Sequence, residues 1–162
     1  MRIFIAILVL ILGLQSITKA DDISDFQIEG ISIGDSALDF YTKEKITEYY
    51  KNWYEPKYSV SAIEEQRGIY DEIQLVYERN NSKYKIVAIS ALKYSDMKFC
   101  DIKMDEISDE ILNMFGKDVK KSKKKTKKHR SDKSGKSKVT DIFFELKKDK
   151  DVIVVACYDW SK

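Results

Sequence analysis

Apolar positions along the chain alternate between a helical and a strand period, and the switches mark the elements. Residues 21–33 form a mixed lead-in. Gly34-Asp35-Ser36 then reads as a turn and helix start, with Asp35 as N-cap and Ala37, Leu38 and Phe40 on short helical turns. Thr42 caps a second helical stretch in which Ile46, Tyr49, Tyr50 and Trp53 recur at three-to-four spacing, and Pro56 ends it. Strands follow at 57–63, 71–79 and 84–92. The second has Ile73, Leu75 and Tyr77 on one face and mostly Glu72, Gln74 and Glu78 on the other. Asn80-Asn81-Ser82 supplies a tight turn that pairs the last two strands as a hairpin. From 101 to 116 the period is helical again, with Met104, Ile107, Ile111, Met114 and Phe115 on one stripe and Gly116 as C-cap. Strands at 139–146 and 151–158 make a closing hairpin around 147–150. Residues 152–156 are apolar on both parities, which suits a central strand.

This order predicts an α+β domain over 21–162, with a mainly antiparallel sheet and helices on one face. Each half runs helix, long loop, hairpin, the first from about 33 to 94 and the second from about 100 to 160. The halves therefore read as two pseudo-repeated units, although their residues differ.

The N-terminus changes the setting. Arg2, the apolar run at 3–14 and Thr18-Lys19-Ala20 have the three parts of a cleavable secretion signal. The run is shorter than the ~20 residues that span a bilayer. The expected location is periplasmic or secreted after a cut near Ala20, with an uncleaved anchor as the alternative. Two cysteines, Cys100 and Cys157, follow the cut. In an oxidising compartment an even count favours a disulfide, and two buried thiols remain the alternative. The closed loop would contribute on the order of 4 kcal/mol by chain entropy.

Charge is segregated rather than balanced. The sequence holds 29 Lys or Arg and 27 Asp or Glu, a formal net charge of +2. Residues 117–138, KDVKKSKKKTKKHRSDKSGKSK, hold twelve Lys or Arg against Asp118 and Asp132. With so little apolar content this stretch reads as a solvated, mobile loop on an acidic body. Lys120, Lys121, Lys123, Lys124, Lys125, Lys127, Lys128 and Arg130 are its candidate polyanion contacts. It could lie on the acidic body, hold anionic lipid headgroups or other envelope polyanions, or bind nucleic acid. Nucleic acid is disfavoured by export and by the lack of aromatic residues in the stretch. A second candidate surface is the aromatic cluster Tyr49, Tyr50, Trp53 and Tyr54, residue types enriched at partner surfaces and equally suited to packing.

Reaction chemistry finds little footing. Gly34-Asp35-Ser36-Ala37 resembles the first block of the Gly-Asp-Ser-Leu esterase and lipase family, which would make Ser36 a nucleophile. That family draws its base from an Asp-x-x-His block near the C-terminus. The single histidine here, His129, has Thr126 three residues before it. One histidine and two paired cysteines leave no soft-metal site. No phosphate loop or dinucleotide fingerprint is present, so no cofactor and no catalytic residue is assigned.

Three segments carry a wider resemblance: Ile31-Ser32-Ile33-Gly34-Asp35-Ser36, Cys100 followed by a Glu-Ile helix through Ile107, and Cys157-Tyr158-Asp159-Trp160. With the signal peptide, they resemble small uncharacterised exported proteins of AT-rich marine bacteria, which implies no particular activity. The leading expectation is a non-enzymatic periplasmic binding module acting on an envelope protein or small ligand, through a sheet face or the aromatic cluster. An envelope protein docking on anionic surfaces through its lysines is the alternative, and a Ser36 hydrolase the third.

Overall fold

The computed structural model describes residues 22–161; the secretion signal read at 1–20 lies outside them. Among the described residues ten strands form antiparallel sheets, accompanied by one long helix, one short helix and three 3-10 turns. The fold is α+β.

The first sheet has the order β3 (Tyr50–Lys51), β4 (Tyr58–Arg67), β5 (Tyr70–Glu78), β6 (Ile86–Leu92). Ile73, Leu75 and Tyr77 of β5 face inward together, as their alternation predicts. They pack with Ile31, Ala37, Tyr41, Ile46, Ile63 and Ile86. A small hairpin, β1 (Gln27–Ile28) and β2 (Ile31–Ser32), precedes this sheet. Its turn puts both Glu29 and Gly30 at positive φ.

Two expectations for this half need correction. Ser36, not Asp35, caps the 3-10 turn Ala37–Asp39, its Oγ accepting from the Leu38 N–H. Asp35 instead accepts the Ser32 N–H at 2.8 Å and closes the turn before it. The helix begun by Thr42 is also short: α1 spans Lys43–Glu48 and stops before Tyr50 and Trp53. The backbone there is drawn into the sheet. Tyr49 C=O accepts the Ala62 N–H at 3.0 Å, and Tyr50 and Lys51 pair with Ser61 and Val60.

The second half is built on α2 (Met97–Phe115), which starts four residues before the predicted 101. Asp96 supplies the cap, accepting the Phe99 N–H at 2.7 Å. Met104, Ser108, Ile111 and Phe115 are the buried positions, one per turn along a single face. Ser108 is tolerated in that stripe because its Oγ donates to the Met104 carbonyl at 2.6 Å. The stripe packs on Ile142, Phe144 and Leu146 of β9 (Lys138–Leu146) and on Ile153 and Cys157 of β10 (Val152–Asp159).

The basic stretch is not the bare mobile loop expected from its composition. Its residues form β7 (Val119–Lys121) and β8 (Lys125–Lys128), both pairing antiparallel with β9. Between them Ser122 keeps contact, its N–H donating to Phe143 C=O at 2.8 Å and its Oγ accepting the Phe143 N–H at 2.9 Å. The two strands thus make one bulged edge, and lysines on an edge strand resist further pairing. The remainder, 129–137, is a tied turn. Asp132 accepts the Ser137 N–H at 2.7 Å, and also the Ser134 Oγ–H and N–H at 2.9 and 2.8 Å, which holds its carboxyl well below the usual range.

β10 is likewise not central. Among the described residues it pairs with β9 alone and forms the opposite edge. The small hairpin links the halves: Ile28 and Ile31 belong to the first core, while Phe26 and Ile33, on either side of the hairpin, pack on the second.

Candidate functional site

Alternation on the second sheet separates two faces. Ile142, Phe144, Leu146, Ile153 and Cys157 look toward α2. The opposite set looks away: Val139, Asp141, Phe143 and Glu145 of β9, and Val152, Val154, Ala156 and Tyr158 of β10. Register adds the lysines. Lys125 stands opposite Asp141 and Lys127 opposite Val139, so both rise from the outer face, as does Lys120 opposite Glu145. Thr126 points the other way and meets Thr140 at 2.8 Å.

Large apolar groups stand in solvent on this outer face. Phe143 is 40% exposed, Val154 directly opposite it 49%, Val152 51%, Tyr158 51% and Trp160 59%. Tyr158 and Trp160 lie nearly parallel, 11° apart, with centroids 6.1 Å apart. His129, two residues beyond Lys127, sits against Trp160 at 4.2 Å and Tyr158 at 5.7 Å.

The acids on this face are neutralised. Asp141 is buried and meets Lys127 Nζ at 2.6 Å, while that ammonium also lies over the Phe143 ring at 5.5 Å. Glu145 is met by Lys150 at 3.2 Å. Elsewhere on the edge, Lys124 reaches Asp101 and Asp105 of α2 at 2.5 and 3.4 Å. The Asp101 contact, first, holds its ammonium pKa above the ordinary value. The stretch therefore does lean on its acidic body, through the ion pairs of Lys124 and Lys127. Among the described residues Lys120, Lys123, Lys125, Lys128 and Arg130 form no ion pair and are exposed. Lys121 lies over the Phe144 ring at 5.7 Å.

The other candidates fall apart spatially. Tyr49 packs partly on the first core. Tyr50 Oη donates to the Glu55 carboxylate, which raises its pKa, and Arg79 pairs with Glu55 at 3.3 Å. Only Trp53 and Tyr54 of that cluster stand largely free, on a turn of the first sheet. Ser36 Oγ donates to Lys83 C=O at 2.7 Å, whereas His129 accepts from Ser131 and stacks on the second sheet. No nucleophile–base pair is formed by them. Among the described residues no three His, Cys, Asp or Glu gather as metal ligands do. Cys100 and Cys157 are joined as a disulfide, tying the first turn of α2 to β10 with Cα atoms 5.9 Å apart.

The outer face was missed by reading lysines and aromatics as separate segments. Its signals are present: Phe143 and Glu145 alternate with the buried Ile142, Phe144 and Leu146, and 152–156 is apolar on both parities. Together these features define an α+β, disulfide-tied chain with a cationic, aromatic sheet face. The chain matches no family model, no curated protein and no solved structure.

Proposed function

We propose that this is an exported, non-enzymatic binding module whose working surface is the outer face of the second sheet, and that its ligand is an anionic component of the cell envelope. One observation carries the reading: Phe143, Val152, Val154, Tyr158 and Trp160 stand exposed on one face, bordered by Lys125 and Lys127. Exposed apolar groups of this size mark interaction surfaces when they are contiguous. Lys125, which forms no ion pair among the described residues, adds attraction for negative charge. Export rests on the signal pattern at 1–20.

The test is co-isolation of the tagged protein from native envelope at low and high salt, with bound material identified by mass spectrometry. Wild type is compared with Trp160→Ala and with Trp53→Ala/Tyr54→Ala. Capture lost in Trp160→Ala and kept in the first-sheet variant supports the reading. Capture lost only in the first-sheet variant overturns it and returns the aromatic cluster as the site.

A further inference from the structure

We infer that the outer face of the second sheet docks on an anionic lipid bilayer, with Phe143, Val152 and Val154 meeting the acyl boundary and the β7–β8 lysines meeting the headgroups. This rests on the reading that the face is the binding surface.

The residue types select the ligand. A sugar chain or a nucleic acid strand could use the rings and the lysines. Neither gives a reason for two half-exposed valines beside Phe143, since each presents mainly polar groups there. A bilayer interface accepts all three, because aliphatic surface leaves water on docking. Tyr158 and Trp160 are amphipathic rings of the kind enriched at headgroup depth. Lys120 and Lys125 rise beside the face, and Lys123 lies on the edge between them, all without an acidic partner in the described residues. They are the charge complement of phosphate headgroups. The two acids on the face do not oppose this, because Lys127 covers Asp141 and Lys150 meets Glu145.

The rest of the chain agrees with docking in one orientation. Outside 117–138 the residues from 21 onward carry 15 Lys or Arg against 25 Asp or Glu. An anionic surface therefore attracts the β7–β8 edge and repels the remaining body. Among the described residues no helix is long and apolar enough to cross a membrane. The arrangement suits lying on a bilayer by a sheet face.

Sedimentation with phosphatidylcholine vesicles, with and without about a third of phosphatidylglycerol, tests this. The full chain is compared with its own variants, so that the apolar run at 3–14 contributes equally to all. In a Trp53→Phe background Trp160 becomes the fluorescence reporter. The expected result is stronger partition onto phosphatidylglycerol vesicles with a blue shift of Trp160. Lys125→Ser should weaken it by about fivefold and lose the preference for anionic lipid in part. Phe143→Ser/Val154→Ser should weaken it by about tenfold while melting close to wild type, since both side chains are exposed. Equal partition of all variants with no Trp160 shift overturns the inference. If envelope capture still depends on Trp160 in that case, the face binds an anionic envelope polysaccharide, and the broader reading stands. If capture is also independent of Trp160, both fail.

Discussion

Cys100, in the first turn of α2, is bonded to Cys157 on β10, across a sequence separation of 57. The bond closes most of the second half, including α2, the basic edge and the β9–β10 hairpin, into one loop. Cross-linking a loop of this length removes chain entropy from the unfolded state, about 4 kcal/mol when the folded geometry is unstrained. Cys100→Ala/Cys157→Ala is expected to lower the urea midpoint accordingly, and reductant should do the same to wild type. A wild-type midpoint indifferent to reductant would show that the bond contributes nothing.

At the far end of the first sheet Tyr94 Oη donates to Glu72 Oε2 at 2.6 Å. Glu72 is buried and directly opposite Glu64 in the register, so this bond and that from Gln74 Nε2 stabilise a carboxylate in an unfavourable place. The carboxylate in turn favours the protonated phenol and pushes the Tyr94 pKa up to about 12 from 10.0. The folded value lies above the unfolded one. The associated stability is whole below pH 10 and is lost as pH rises through about 12. Tyr94→Phe should cost roughly 1 kcal/mol at neutral pH, kept small because the ring is largely exposed. In an absorbance titration of the phenolate, the variant should lack the latest step; identical curves would contradict the assignment.

The strands and the long helix were legible because each carries a period that its burial demands. Ile73, Leu75 and Tyr77 alternate, and Met104, Ile111 and Phe115 repeat by the turn. Failures came where backbone pairing overrode pattern. Tyr49, Tyr50 and Trp53 have helical spacing, yet β4 offers the backbone at Tyr50 and Lys51 two partners. The basic stretch has no apolar content to announce a strand, but β9 presents an open row of N–H and C=O groups that β7 and β8 satisfy. The candidate face was hidden for the same reason. Lys125 and Lys127 come beside Phe143 and Tyr158 only through that pairing.

Ser36 illustrates a motif whose chemistry is structural. Its Oγ accepts the Leu38 N–H at 3.2 Å and donates to Lys83 C=O at 2.7 Å, joining the 3-10 turn to the strand entering β6. Ser36→Ala removes both bonds and should cost about 1 kcal/mol, seen as a drop of a few degrees in the melting midpoint. Loss of a hydrolytic activity in this variant with an unchanged melt would instead make Ser36 a nucleophile.

Lys127 and Asp141 should be strongly coupled. Asp141 is buried while Lys127 remains about half exposed, so removing the lysine takes the ion-pair partner from a buried carboxylate. Lys127→Met is expected to cost roughly 1–2 kcal/mol, less than for a fully buried pair. Asp141→Asn should recover much of that in the Lys127→Met background, and a double-mutant cycle by urea unfolding measures the coupling. Additive costs would show that the pair is not formed in solution.

The lysines of β8 have two possible reasons to be where they are, and charge reversal separates them. Any charge at an exposed edge discourages a neighbouring chain from adding a strand. Only positive charge attracts an anionic surface. Lys125→Thr/Lys128→Thr leaves the edge open and should promote self-association at high concentration, read by sedimentation velocity. Lys125→Glu/Lys128→Glu keeps the edge guarded, so the protein should sediment as wild type, yet its affinity for phosphatidylglycerol vesicles should fall by more than the roughly fivefold expected of Lys125→Ser. Neither lysine forms an ion pair among the described residues, so both variants should fold. If the glutamate variant binds such vesicles as wild type does, the lysines serve only as edge guards, and the attraction of this face for its ligand lies in Phe143, Tyr158 and Trp160.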